Sequence, residues 1–452
     1  MNKKQRLVLI VSILASFVAF LDGSVVNVAL PAIARNLGGG LAVQQWVVDG
    51  YLLTLGSLIL IAGSLSDLFG RKRILAYGLI GFGVSSLLCA LAPNSDFLIA
   101  GRAIQGAAGA LLVPSSLAII IATFSGAAQG KAIGRWTAWT GISFLIGPLL
   151  GGILVDAGSW RWVFAINIIP IAITLWLMRR MELAPETATD KTVDWLGACL
   201  CTLGLTGTVF ALIEQSTYGW GSPFIWVPLS LGIIMLGAFV YQESKAKAPM
   251  LPLDLFRIRN FAFGNLATIA IYGALSVATF VLVVFVQQVG HYSAFEAGLA
   301  LLPVTIIMFV LSPRFGALAG KIGPRWPMTF GPILAAIGFL LMTSVNASVT
   351  YWTQLLPGIL LFGIGLSMTV APLTSAVLGS IKPEHAGIAS AVNNAISRIA
   401  GLVAVAGIGV IVGPELSVSG FHRGIIVMAT LLILGGVISA VGIRGAESPD
   451  AA

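Results

Sequence analysis

Runs of about twenty apolar residues, interrupted by Gly, Pro, Asn or clustered charge, follow one another along the whole chain. About 20 such residues carry a helix across some 30 Å of hydrocarbon, where a helix satisfies its own backbone hydrogen bonds. The runs predict helices over residues 7–30, 46–66, 74–93, 97–122, 131–157 and 162–179, then 194–214 and 224–241, then 261–289, 297–320, 327–346, 351–377, 386–413 and 421–443. The expected fold is therefore an all-α integral membrane protein. Two pseudo-symmetric six-helix bundles, residues 1–180 and 246–452, flank two additional transmembrane helices in 181–245.

Composition strengthens this reading and closes others. Of 452 residues, 58% are hydrophobic and 9% charged, and the mean hydropathy is +0.99, which excludes a water-soluble chain. The longest polar stretch, Gln242 to Asn260, is too short to bury a core, so an appended nucleotidase, protease or DNA-binding domain is excluded. The net charge of +8 points to loop placement rather than to nucleic acid. With the N-terminus inside, Lys3, Lys4, Arg6, Arg71, Lys72, Arg73, Lys131, Arg135, Arg179, Arg180, Lys191, Lys245, Lys247, Arg257, Arg259, Lys321, Arg325, Lys382 and Arg444 all fall on the cytoplasmic side. Arg35, Arg161 and Arg423 fall outside. Trp46, Trp160, Trp162, Trp195, Trp220, Trp226, Trp326 and Trp352 sit near predicted span ends, the headgroup level that indoles prefer. The first span is too long for a signal peptide and lacks a small-x-small cleavage site, so it is read as a retained helix.

Cys89, Cys199 and Cys201 lie in apolar runs rather than in a disulfide framework, and read as packing residues. His291, His385 and His422 stand singly, so neither a metal site nor a cofactor is expected. Gly126 to Ala132 is the nearest approach to a phosphate loop, but Ser125 stands where the first glycine should be and Ala132 replaces the Ser or Thr.

The chain also repeats itself. GSLSDLFGRKR from Gly63 and GALAGKIGPR from Gly316 share G-x-L-x-x-x-x-G followed by cations, each at the end of the second helix of a six-helix block. A two-halved transporter, with its substrate site between the halves, is the natural reading.

These residues resemble the major facilitator superfamily, and within it the fourteen-span drug:proton antiporters, over nearly the whole chain. Gly63 to Arg73 is similar to the family's signature loop, with Asp67, Gly70, Arg71 and Lys72 in the expected places; Arg102 in GRAIQGAAGA resembles its helix 4 motif. GISFLIGPLLGG, from Gly141 to Gly152, resembles the antiporter motif of helix 5. LDGSVVNVALP from Leu21 to Pro31 and WRWVFAINIIP from Trp160 to Pro170 resemble segments of the fourteen-span branch. Gly320 departs from the pattern, standing where the second half would match Asp67.

Asp22 is read as lying about eight residues from the outer end of span 1 and Arg102 about five residues into span 4 from the same side, comparable depths that allow pairing. A buried carboxylate there must be paired or protonated. Balanced between burial and a guanidinium, it can exchange a proton between states of a transporter; the alternative is a static salt bridge. Asp49 has two readings, an interfacial aspartate or a group that receives a proton or a cationic substrate.

Asp67, with Arg71, Lys72 and Arg73, sits in a turn where Gly63 and Gly70 permit close packing and reversal, and is read as a gating group whose bonds break as one face opens. Gly141, Gly147, Pro148, Gly151 and Gly152 suit a helix 5 that bends or seals. Asn27, Asn393, Asn394 and Arg398 are candidate polar linings of a cavity, Arg398 having a second reading as a snorkelling cation; Arg314 is read as snorkelling at least as readily. The last six spans carry no central carboxylate.

The expected function is proton-coupled export of hydrophobic, often cationic drugs or toxic compounds by alternating access, with protons, a small-molecule substrate and the lipid bilayer as its partners, no nucleic acid and a functional monomer. The implied location is a bacterial-type cell (inner) membrane with both termini cytoplasmic. A dedicated exporter of one metabolite, lipid or siderophore is the alternative, and a non-transporting receptor or scaffold is the alternative from another class. No Ser/His/Asp, paired Asp or HExxH arrangement supports an enzyme.

Overall fold

The computed structural model describes residues 1–181, 193–246, 249–382 and 385–445. Lys191 and Lys247, two of the expected cytoplasmic cations, lie outside the described residues. Among the described residues there is no strand, and 14 helices are long and apolar enough to cross a membrane. The first six are α1 (Lys3–Leu37), α2 (Gly40–Phe69), α3 (Arg71–Ala90), α4 (Ser95–Thr123), α5 (Ala128–Ala157) and α6 (Trp162–Arg179). Two follow, α7 (Trp195–Tyr218) and α8 (Pro223–Lys245). The last six are α9 (Arg259–Gln288), α10 (Ala294–Ile322), α11 (Arg325–Ser344), α12 (Tyr351–Gly379), α13 (Gly387–Val412) and α14 (Val418–Gly442).

Each corresponds to a run read from the sequence, but the first junction differs. Helix α1 continues through Pro31 to Leu37, and α2 begins at Gly40 rather than near residue 46. Gly38, Gly39 and Gly40 all have positive φ (81°, 92° and 59°), which lets the chain reverse within a residue or two. Pro31 closes the run read over 7–30 without ending the helix, so Asp22 lies about 22 Å from the helix end and nearer mid-span than expected. Helix α6 is also interrupted, as Trp162–Ala165 followed by Ile168–Arg179. Pro170 has no N–H to give the Ile166 carbonyl, and the break places Asn167 at the start of the second segment.

Contacts gather the helices into two compact units. The first contains Met1–Thr208 with Pro228–Met250, and the second Val209–Val227 with Leu251 onward. Within the first, α1 packs on α5 and α6, α4 on α2 and α3, and α3 on α6. The second repeats this pairing: α9 packs on α13 and α14, α12 on α10 and α11, and α11 on α14. Helices α7 and α8 meet through Gly204, Gly207 and Gly232, where an added Cβ would strike Leu236, the Pro228 carbonyl or Thr208. In the second unit, Gly331 and Gly338 of α11 face Gly365 and Gly358 of α12 so closely that backbone meets backbone.

In the first unit, α2 and α4 approach backbone to backbone. A Cβ on Gly106 would collide with the Tyr51 carbonyl and the Thr54 hydroxyl, which itself donates to the Ala103 carbonyl at 2.7 Å. A Gly106→Val protein should therefore lose about 1–3 kcal/mol or more, read as a fall in melting temperature of the purified protein. An unchanged melting temperature would show that α2 and α4 can separate freely.

Candidate functional site

The first unit encloses an ion pair at its centre. Asp22 of α1 is 0% exposed and Arg102 of α4 only 2%, and Arg102 Nη1 donates to Asp22 Oδ2 at 2.5 Å. The sequence expectation that the two could meet is realised as a contact. The same Nη1 donates to Gln105 Oε1 at 2.6 Å, and Nε donates to the Val47 carbonyl at 2.9 Å. The guanidinium lies 4.3 Å from the centroid of the Tyr51 ring, a cation–π contact.

Asp22 Oδ1 accepts two further bonds, from Gln105 Nε2 at 2.9 Å and Asn167 Nδ2 at 2.8 Å. Both amides also donate to Ser86 Oγ of α3, at 2.9 and 3.4 Å. Five elements thus converge: α1 brings the acid, α4 the cation and Gln105, α3 Ser86, the break of α6 Asn167, and α2 Tyr51 and a carbonyl. Both carboxylate oxygens act only as acceptors, the pattern of the ionised acid. A charge pair removed from water needs its remaining hydrogen-bonding capacity met; here Gln105, Asn167 and the Val47 carbonyl supply much of it, and the Tyr51 ring faces the guanidinium.

Sequence pattern alone does not single out Gln105, Asn167, Ser86 or Tyr51. Signals are present: Gln105 stands three residues after Arg102, hence on the same face of α4, and Asn167 lies inside WRWVFAINIIP. Amide and hydroxyl residues within spans have too many packing roles for such signals to select them.

Asp49 of α2 is also 0% exposed, and neither of its oxygens has a hydrogen-bond partner among the described residues. It is buried rather than interfacial. A carboxylate in that state costs several kcal/mol unless a proton or a cation accompanies it.

The α2–α3 turn places Asp67 and Arg71 in an ion pair of 3.2 Å, half-buried on both sides. Gly70 makes the reversal at φ 92°, whereas Gly63 has nothing within 4 Å of where a Cβ would stand. Lys72 Nζ donates to the Met181 carbonyl at 2.5 Å, tying the turn to the end of α6, and Arg73 is exposed.

In α5, Cβ atoms on Gly147 and Gly151 would meet Ser24 and the Val25 backbone of α1, next to Asp22. Ser24 Oγ reaches back to the Ser143 carbonyl at 3.1 Å. Gly141 faces open space, Pro148 lies within the helix, and Gly152 is buried. Asn27 is half-buried and donates to the Gly23 carbonyl of its own helix at 3.1 Å.

In the second unit, Asn393 of α13 donates to Asn265 Oδ1 at 2.9 Å and Thr268 Oγ1 at 3.0 Å on α9. Asn394 and Arg398 are half-buried on the same helix, Arg398 within electrostatic reach of Tyr272, while Arg314 is exposed.

The chain is 35% identical over 408 residues to the puromycin resistance protein pur8 of Streptomyces alboniger, covering 88% of this chain and 80% of that protein. It is 34% identical over 411 residues to the methylenomycin A resistance protein of Bacillus subtilis (strain 168), covering 90% and 87% respectively. It is 34% identical over 425 residues to the multidrug resistance protein Stp of Mycobacterium tuberculosis (strain CDC 1551 / Oshkosh), covering 92% and 78%. Among solved structures, the peptide transporter POT in complex with sulfate superposes with a TM-score of 0.71 at 14% identity, over 97% of this chain and 94% of that one. The xylose transporter XylE from E. coli gives 0.65 at 15% identity, over 96% and 98%. At such identities these two show the fold alone. The family model for the Major Facilitator Superfamily matches residues 12–405. This multi-pass, fourteen-helix membrane protein belongs to the Major Facilitator Superfamily, and it is a transporter of small molecules, not an enzyme.

Proposed function

We propose that this transporter exports hydrophobic, mainly cationic drugs in exchange for protons, by alternating access across a bacterial cell (inner) membrane with both termini cytoplasmic. It works as a monomer, with residues 1–180 and 246–452 as the two rocking bundles and the two helices of 181–245 joining them in sequence. One observation carries the reading: a solvent-free carboxylate, Asp22, is held by Arg102, Gln105 and Asn167 inside one bundle. A carboxylate held by three donors releases its partners only when a proton replaces them, so protonation and rearrangement of the bundle are coupled. The resistance proteins named above support drugs as the substrate class.

The remaining residues take roles around that centre. Asp49, buried without a hydrogen-bond partner among the described residues, carries either a proton or the positive charge of a substrate. The Asp67–Arg71 pair and the Lys72 bond to Met181 hold the cytoplasmic turn and break as that face opens, with Gly63, Gly70 and Arg73 completing the gate. Gly147 and Gly151 let α5 seal against α1, Pro148 bends it, and Gly141 and Gly152 keep it slim. Asn27 in the first unit, and Asn393, Asn394 and Arg398 in the second, offer polar groups to the substrate.

Inverted membrane vesicles test the reading. Wild-type vesicles should accumulate ethidium and other chemically unrelated cationic dyes saturably, and only under a proton gradient. Uptake indifferent to the gradient would overturn proton coupling, and a single narrow substrate would overturn multidrug export. Asp49→Asn should slow cationic dyes by about tenfold or more, equivalent to about 1.4 kcal/mol, while uncharged substrates keep their rate. Equal loss for both would assign Asp49 to proton movement rather than to charge recognition.

A further inference from the structure

Asp22 and Arg102 are enclosed by their own bundle. A proton exchanged at Asp22 must therefore cross the protein interior. Towards the N-terminal end of α1, cytoplasmic on the reading above, the interior offers hydroxyls in succession. The Tyr51 hydroxyl, on the ring that lies against Arg102, donates to the Ala19 carbonyl at 3.3 Å, about one turn of α1 from Asp22. Further along, Ser16 Oγ of α1 and Ser116 Oγ of α4 are 2.5 Å apart, and either can be the donor; when Ser116 accepts from Ser16, its own proton goes to the Val113 carbonyl at 2.9 Å. Trp136 Nε1 of α5 donates to Ser16 Oγ at 3.1 Å, leaving that oxygen one lone pair. One turn beyond lies Ser12, 0% exposed, whose hydroxyl has no hydrogen-bond partner among the described residues.

Serines within membrane helices ordinarily turn their hydroxyls back to a carbonyl of their own helix. Ser12 does not, and a buried hydroxyl without a protein partner is met by water. At the other end of the series, Asn167 Oδ1, beside Asp22, is likewise buried without a donor among the described residues. Unpartnered buried groups therefore stand at both ends of a reversible hydroxyl pair, about 15 Å apart along α1.

We propose that Ser16, Ser116 and Ser12, continuing from the Tyr51 hydroxyl through bound water, relay the proton released by Asp22 to the cytoplasmic face. The proposal rests on the proton-coupled reading above. At each step an O–H bond breaks on one oxygen and forms on the next, which hands on its own proton. One proton leaves the Asp22 carboxyl and one leaves the Ser12 hydroxyl to bound water, which carries it over the roughly 14 Å of α1 between Ser12 and Lys3, and no oxidant or other reactant is needed. The Ser16–Ser116 pair restores its direction by rotation of its hydroxyls.

Ser12→Ala is the discriminating variant, because it deletes a hydroxyl to which no described residue bonds. A merely structural role predicts an equal or higher melting temperature with unchanged transport. The relay predicts at least tenfold slower proton movement, followed by a pH-sensitive dye in proteoliposomes as ethidium is added. Ethidium should bind with unchanged Kd, and Ser12→Thr should restore the flux. Ser16→Ala, which cuts the reversible pair, should slow the flux to a similar extent. Wild-type flux in Ser12→Ala overturns the relay, as does a loss that Ser12→Thr shares or that weaker ethidium binding matches. A wild type that moves no proton with ethidium or with puromycin overturns the underlying coupling, a result distinct from failure of the relay alone.

Discussion

Asn in place of Asp22 should reduce gradient-driven uptake in inverted vesicles to that of empty membranes, while the protein still accumulates and folds. Asn has nearly the same shape as Asp but carries no titratable proton. Its oxygen can accept from Arg102, and its amide can donate to Asn167 once that side chain turns its unpartnered Oδ1 inward. The guanidinium keeps Gln105 Oε1 and the Val47 carbonyl as acceptors. The expected stability loss is therefore modest, on the order of 1–2 kcal/mol, against a complete loss of coupled transport. Normal uptake by a well-expressed Asp22→Asn protein would assign proton exchange elsewhere and leave the pair as a structural bond.

Removing the cation should have the opposite balance. Arg102→Leu leaves the Asp22 carboxylate, 0% exposed, with only two amide donors. Breaking a buried pair from one side typically costs about 3–5 kcal/mol, because the surviving charge stays buried without its counterion. The Arg102 side chain also fills the space beside Tyr51 and Phe164, so some packing is lost as well. A sharp fall in melting temperature and yield is expected. The double variant Asp22→Asn/Arg102→Leu should recover more than half of that loss, since no uncompensated charge remains, yet stay inactive. Additive losses in the double variant would mean that the two side chains do not interact energetically.

The contact between Asp22 and Arg102 is legible in the sequence because two charges inside apolar runs must find each other, and helix rise places them at similar depth. The helix count is legible because each span is long and bounded by Gly, Pro, Asn or charge. The depth of Asp22 is not, because the end of an apolar run need not be the end of the helix. Backbone hydrogen bonding carries α1 on to Leu37, past Arg35 and Asn36. The break in α6 depends on one missing N–H at Pro170, and a proline inside a helical run has several outcomes. Gln105, Asn167 and Ser86 gain their meaning only from the helices that bring them to Asp22. The isolation of Asp49 is equally out of reach, since sequence shows where a carboxylate sits along a helix but not what faces it.

Infrared difference spectroscopy on the reconstituted protein, recorded as ethidium is added, reads the protonation of Asp22 directly. A carboxyl C=O band should change in the wild type and persist in Asp49→Asn, but be missing from Asp22→Asn. A band that survives unaltered in Asp22→Asn would contradict proton exchange at this carboxylate.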